Sequence, residues 1–162
     1  ISRMISPMTV LEIGTFTGYS AICLAHGLKP GGKLITIELN DELSEFSSSY
    51  FIKTGTEKQI IQLTGRAQEI IPDLDNTFDL VYIDGDKREY CEYFEAVINK
   101  VRSGGFIIAD NVLWGEKVLE TDTRDQQTRG IIDFNEMIIN RGDVEKVILP
   151  VRDGLMLIRK TS

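Results

Sequence analysis

Two stretches limit most sharply what this chain can fold into. "LVYI" (80–83) and "FIIA" (106–109) are almost continuously apolar, and each ends in oxygen-bearing side chains: Asp84-Gly85-Asp86 in one case, Asp110-Asn111 in the other. An unbroken apolar strand needs cover on both faces, which is the situation of an interior strand in a parallel sheet. The rest of the chain agrees, because strand and helix signals alternate along it. Strands are expected at Thr9–Gly14, Leu34–Glu38, Gln59–Thr64, Phe78–Ile83 and Phe106–Ala109, then at Val144–Leu149 and Leu155–Arg159. Helices are expected at Gly18–Gly27 with Gly27 as its stop, and at Asp41–Lys53 with Asn40 as cap. Three more are expected at Ala67–Leu74, Arg88–Val101 and Gln126–Asn140, with a polar loop over Val112–Asp125. The last two strands are joined only by Pro150–Gly154, too short for a crossover, so that pair is expected to be antiparallel. The fold class is α/β: a doubly wound, mostly parallel seven-stranded sheet with an antiparallel C-terminal strand.

In such sheets ligands bind beyond the carboxyl ends of the strands. Glu12, Glu38, Asp84 and Asp110 all fall there. A single acid at such a place can be a helix cap or a solvated loop residue; four at matching ends of one sheet imply one polar crevice. The segment "EIGTFTGYS" (12–20) joins the first strand to the first helix, where small residues let a ligand approach backbone. A dinucleotide-binding turn would carry a second glycine where Phe16 stands, so the turn suits a nucleoside ligand without a pyrophosphate. Glu38, ending the next strand, is placed to accept hydrogen bonds from two ribose hydroxyls.

Composition narrows the remaining classes. A chain of 162 residues suits a single domain spanning 1–162, and a net charge of −7 argues against a nucleic-acid surface. No apolar run approaches the ~20 residues of a membrane span, and no leader is expected. Cys23 and Cys91 lack metal-ligand spacing and are expected to be buried, reduced thiols of a cytoplasmic protein. The one histidine, His26, late in the first helix, is assigned a surface or packing role.

The stretches "VLEIGTFTGYSA", "GKLITIELN", "GRAQEIIPDL", "FDLVYIDGDKREY", "GGFIIADNVLWGEKV" and "LPVRDGLMLIRK" together resemble the cation-dependent O-methyltransferases. That family includes the caffeoyl-CoA and catechol O-methyltransferases and bacterial relatives. The resemblance runs from about Val10 to Lys160 and implies a Rossmann-like class I methyltransferase fold. It also implies S-adenosylmethionine (SAM) as cofactor, with methyl transfer to a hydroxyl of a small catechol-like or vicinal-diol acceptor. By position, Glu12, Gly14, Thr15 and Ser20 resemble the methionine-end contacts, with Phe16 in the same turn. Glu38 resembles the ribose-binding acid, and Ala67 and Gln68 the adenine-side contacts. Asp84, Asp110 and Asn111 resemble a metal triad, and Lys87 the lysine beside the acceptor hydroxyl. Oxygen donors without histidine or thiolate suit Mg²⁺, or Mn²⁺ or Ca²⁺.

Ser20, Gln68 and Lys87 have plainer readings as a helix hydroxyl, a solvated helix residue and a solvated loop lysine. Trp114 could cover an aromatic acceptor or anchor its loop; Arg124 and Arg129 could meet an anionic acceptor or simply begin a helix. Family members usually carry several N-terminal helices, where only Ile1–Met8 stands here. The sequence is therefore expected to be an N-terminally truncated piece of a protein that forms a homodimer when full length. Three rivals remain on the sequence. One is a transfer-RNA hydroxyuridine methyltransferase of the same family, and another a non-catalytic nucleoside-binding fragment. The third is a phosphatase of the haloacid dehalogenase class, suggested by the D-x-D at 84–86. That class wants threonine or valine two residues after the second Asp, where this chain has Arg88.

Overall fold

The computed structural model describes residues 1–120 and 123–162. Thr121 and Asp122, inside the loop expected over Val112–Asp125, lie outside the described residues. A seven-stranded sheet forms the centre, comprising β1 (Thr9–Ile13), β2 (Lys33–Glu38), β3 (Ile60–Thr64), β4 (Phe78–Ile83), β5 (Val101–Asp110), β6 (Val144–Leu149) and β7 (Leu155–Lys160). Their spatial order is β3-β2-β1-β4-β5-β7-β6. All neighbours pair in parallel except β7, which runs antiparallel to both β5 and β6. The expected class, including the tight antiparallel link at the C-terminus, matches this sheet.

Helices cover both faces. On one side α2 (Tyr19–Ala25) and α3 (Ser44–Lys53) contribute Ala21, Leu24, Ala25 and Phe51, which pack with Val10, Leu34, Leu80 and Ile108. On the other, α4 (Ala67–Asp73), α5 (Tyr90–Ile98) and α6 (Gln126–Ile139) seal Leu11, Ile13, Ile35, Val81, Ile83 and Ile107 with Ile71, Phe94, Val97 and Phe134. Successive strand residues point to opposite faces. The runs "LVYI" and "FIIA" therefore feed both layers, which is why neither shows a polar alternation. Strand order reverses direction between β1 and β4, and such a switch point opens a crevice at the carboxyl ends.

Several local expectations need correction. A short helix α1 (Ser2–Ile5) precedes β1. α2 stops at Ala25 with His26 as its C-cap, so Gly27 stands just past the helix, but without the positive φ of a left-handed stop. Gly27 is there for contact instead, since a Cβ on it would lie 2.1 Å from Ser2 Oγ, whose hydroxyl donates to the Leu24 carbonyl at 2.7 Å. The helix expected over Arg88–Val101 begins as a 3₁₀ turn at Lys87–Glu89 and ends at Ile98. Val101 already pairs with Phe78, then the register shifts before Leu80 meets Phe106, so β5 is longer than the apolar run suggested. The loop after Asn111 contains a 3₁₀ segment, Trp114–Leu119. Cys23 is exposed and Cys91 half-buried. The buried face of α2 is Ala21, Leu24 and Ala25, which turns Cys23 outward, against the expectation of a buried thiol. Among the described residues no helix is long and apolar enough to cross a membrane.

Candidate active site

The crevice at the switch point is a cleft of about 850 Å³. Its floor begins where β1 and β4 end. The Gly14 amide donates to the Ile37 carbonyl and the Asp84 amide to the Ile13 carbonyl, each at 2.9 Å, extending the parallel ladder past both strands. Gly14 has φ +99°, and a Cβ there would sit 2.4 Å from the Asp84 carbonyl oxygen. Only glycine satisfies both constraints. Phe16 also has positive φ (47°), a costly conformation for a bulky residue. Its amide is held by Glu38 Oε2 at 2.8 Å, while Oε1 of the same carboxylate accepts from the Asn40 amide at 3.0 Å. Glu38 thus fixes the turn and still presents unfilled lone pairs to the cleft it lines.

Under the turn runs a polar rank that crosses four strands. Gln62, Thr36, Glu12 and Tyr82 are register partners on β3, β2, β1 and β4, so their side chains share a face. Thr36 Oγ1 donates to Glu12 Oε2 at 2.6 Å and lies 2.5 Å from Thr15 Oγ1. Glu12 is fully buried, and its Oε1 has no hydrogen-bond partner. Burial pushes its carboxyl up to about 7; the nearby hydroxyls of Ser20 and Thr36 pull it down, and the charges of Asp84 and Glu38 push it further up. A folded state that holds this proton more tightly than the unfolded chain loses stability as pH rises from about 4.5 to about 7, then levels off. Glu12→Gln is expected to remove that loss, on the order of 3 kcal/mol. Denaturant melts of both proteins at pH 5 and pH 8 check this: parallel pH dependences would contradict it.

Asp84 follows β4 and Asp110 ends β5. Ile83 pairs with Ala109, so the two aspartates are next in register on strands about 5 Å apart. Both line the cleft. Burial raises the Asp84 carboxyl above its usual range; the ammonium of Lys87 opposes this and the charge of Asp110 adds to it. Lys87, 6% exposed, donates from Nζ to Asp84 Oδ1 at 2.7 Å and to Tyr90 Oη at 2.6 Å. Asp84 Oδ2 accepts no hydrogen bond among the described residues. Asp110 Oδ1 takes the Asn111 amide at 2.7 Å, and Oδ2 takes the Tyr82 hydroxyl at 2.6 Å. Asn111 has φ 61°, a left-handed conformation asparagine tolerates.

Among the described residues no group of three or more histidine, cysteine, aspartate or glutamate side chains is arranged to hold a metal ion. A carboxylate–carboxylate–amide set falls outside that description. Its chemistry fits a hard divalent cation: oxygen donors only, two adjacent negative charges, and an unfilled carboxylate oxygen on Asp84.

Of the residues singled out in the sequence, Gly14, Thr15, Phe16, Ser20, Glu38, Ala67, Gln68, Asp84 and Asp110 line the one cleft. Glu12 lies beneath it, Lys87 is buried beside Asp84, and Asn111 stands just beyond Asp110 without lining it. Gln68 Nε2 reaches Glu92 at 3.3 Å. Trp114 packs against the core and buries Nε1 without a partner, which favours the loop-anchor reading over a cover for the acceptor. Arg124 and Arg129 line a smaller cleft of about 350 Å³ together with Arg88. Sequence reading missed Tyr82, and also the bridge that closes one end of the main cleft, where Glu89 accepts from Arg66 and from the Tyr93 hydroxyl, each at 2.7 Å. Tyr82 could have been found by counting two residues back from Asp84, to the previous position on the same face.

Known proteins bear on this geometry. The O-methyltransferase family profile matches residues 2–161. A catechol O-methyltransferase of Niastella koreensis is 33% identical over 153 residues, covering 92% of this chain and 69% of the relative. Tricin synthase 2 of Oryza sativa subsp. japonica is 35% identical, covering 93% and 56% respectively. The chain thus spans between about half and two thirds of the length of these curated relatives. The O-methyltransferase TomG of Streptomyces achromogenes, involved in tomaymycin synthesis and solved in complex with SAM, superposes with a TM-score of 0.93 at 35% identity, over 99% of this chain and 76% of TomG.

Proposed function

Because the chain belongs to the O-methyltransferase family, we propose that it transfers the methyl group of SAM to one hydroxyl of a small acceptor bearing two adjacent oxygens, such as a catechol, with a divalent cation at Asp84, Asp110 and Asn111. The observation that carries this reading is the pairing of two carboxylates at neighbouring strand ends with a glycine turn and Glu38 in one cleft. SAM has a positive sulfonium and no phosphate, which agrees with an acid-rich cleft and with Phe16 where a pyrophosphate would need glycine.

Each end of the donor has a partner in this geometry. The two carboxylate oxygens of Glu38 suit a pair of ribose hydroxyls, and the start of α4 at Ala67 and Gln68 suits the adenine. The Gly14–Thr15 backbone, above the Glu12–Thr36 pair, suits the methionine end. A bound cation would lower the pKa of the acceptor hydroxyl and hold two acceptor oxygens in place. Lys87, with its ammonium donating to both Asp84 and Tyr90, favours the deprotonated acceptor through its charge. The rest of the catalysis is alignment of acceptor oxygen, methyl carbon and sulfur in line, with no covalent intermediate on the protein.

Glu38→Ala is expected to weaken SAM binding by about 2 kcal/mol, roughly 30-fold, by losing charge-assisted hydrogen bonds and loosening Phe16. Calorimetric titration reads this directly, and an unchanged affinity would remove Glu38 from the ribose site. The activity itself is tested by incubating the protein with SAM, Mg²⁺ and a panel of catechols and vicinal diols. Mass spectrometry should find a product heavier by one methylene. SAM binding without methylation of any acceptor would argue for the nucleoside-binding reading instead.

A further inference from the structure

We propose that Tyr82 is the positioning residue of the cation site, setting the orientation of Asp110 through its hydroxyl; the inference rests on the cation reading above. Tyr82 stands on β4 two residues before Asp84, on the same face, and is register-paired with Glu12 on one side and Ile108 on the other. Its ring crosses to the neighbouring strand, where the hydroxyl donates to Asp110 Oδ2 at 2.6 Å.

The other oxygen of Asp110 is held by the Asn111 amide at 2.7 Å. With one donor on each oxygen, both rotations of the carboxylate are fixed, and each oxygen keeps a further lone pair. Without the tyrosine hydroxyl, Asp110 would keep only the local bond to its own neighbour and could rotate away from Asp84. Asp84 needs no such partner, because Lys87 already holds its Oδ1. The two cation-facing carboxylates are therefore oriented by different means, a lysine in the 3₁₀ turn after β4 and a tyrosine reaching from the adjacent strand. Hydrogen-bond partners that orient ligating carboxylates usually matter to metal affinity by roughly 10–100-fold.

Tyr82→Phe keeps the ring and deletes only the donor. Titration with Mn²⁺, followed by electron paramagnetic resonance of the bound ion, is expected to show affinity lowered roughly 10–100-fold and a broadened signal. SAM affinity should stay within about twofold, as the hydroxyl is already engaged by Asp110. Unchanged Mn²⁺ affinity in Tyr82→Phe, alongside loss of binding in Asp110→Ala, would overturn the role of Tyr82 and leave the cation reading standing. Failure of the parent protein to bind Mn²⁺ at all would overturn both. Should Tyr82→Phe not fold, 3-fluorotyrosine at position 82 preserves ring and hydroxyl. Its fluorine resonance is expected to shift on adding Mg²⁺, and a resonance indifferent to Mg²⁺ would contradict the proposal.

Discussion

Asp110→Ala is expected to remove the proposed methyl transfer: kcat/KM should fall by roughly 10³-fold or more, and a chelator added to the parent protein should produce the same loss. The size follows from what the carboxylate does here. In the proposed cation site it would supply one of two carboxylates, so its removal would leave Asp84 and a neutral amide, too little charge to hold a hydrated Mg²⁺. The fold tolerates the change, since Asp110 is half-buried and its loss unpairs the Tyr82 hydroxyl and the Asn111 amide, about 1–2 kcal/mol. Asp84→Ala gives the same catalytic loss with a heavier structural cost. Lys87 is buried and would keep Tyr90 as its one polar contact, so about 2–3 kcal/mol of stability goes with the partner carboxylate. Steady-state assays with urea melts separate the two variants: equal destabilisation by both would contradict the assignment of Lys87 to Asp84. Full activity of either variant would contradict the cation site.

Gly14→Ala is the second large effect, and it comes from backbone rather than charge. The added methyl would sit 2.4 Å from the Asp84 carbonyl oxygen and 2.7 Å from its carbon, at φ +99°. Neither can move freely, because the Asp84 amide is bonded to the Ile13 carbonyl. The expected cost is about 3–4 kcal/mol, a Tm lower by roughly 5–15 °C. SAM and Mg²⁺ affinities should fall together as β1 and β4 part. Gly31→Ala provides the comparison. It shares positive φ (+83°) but has nothing within 4 Å of the added carbon, so only the backbone term of about 1 kcal/mol applies. Similar melting curves for the two variants would show that close approach to Asp84 does not matter.

These two variants also mark what could be read without coordinates. Gly14 stood out because it follows an apolar strand and precedes a helix, and Asp84 and Asp110 because each ends an apolar run. Period, composition and strand-end acids are local properties, and they carried the sheet, its antiparallel end and the cleft acids Glu38, Asp84 and Asp110, while Ser20, Ala67 and Gln68 came only from the family resemblance. Pairings across strands are not local. Tyr82 reaches Asp110 across 28 positions, and Thr36 reaches Glu12 across 24, so neither bond leaves a mark in a window of neighbouring residues. Cys23 misled for a related reason: an apolar helix segment says that some face is buried, and only packing decides which. At Val101 the early start of β5 rests on pairing with Phe78 and a shifted register, while the residues that follow, Arg102-Ser103-Gly104-Gly105, carry no strand signal.

The most direct measurement is a crystal structure of the protein grown with S-adenosylhomocysteine and Mn²⁺, with anomalous data collected for manganese. A single anomalous peak contacting Asp84, Asp110 and Asn111, beside the sulfur of the bound nucleoside, is the predicted result. A nucleoside seated in the cleft with manganese absent from those three side chains, or bound elsewhere, would contradict it.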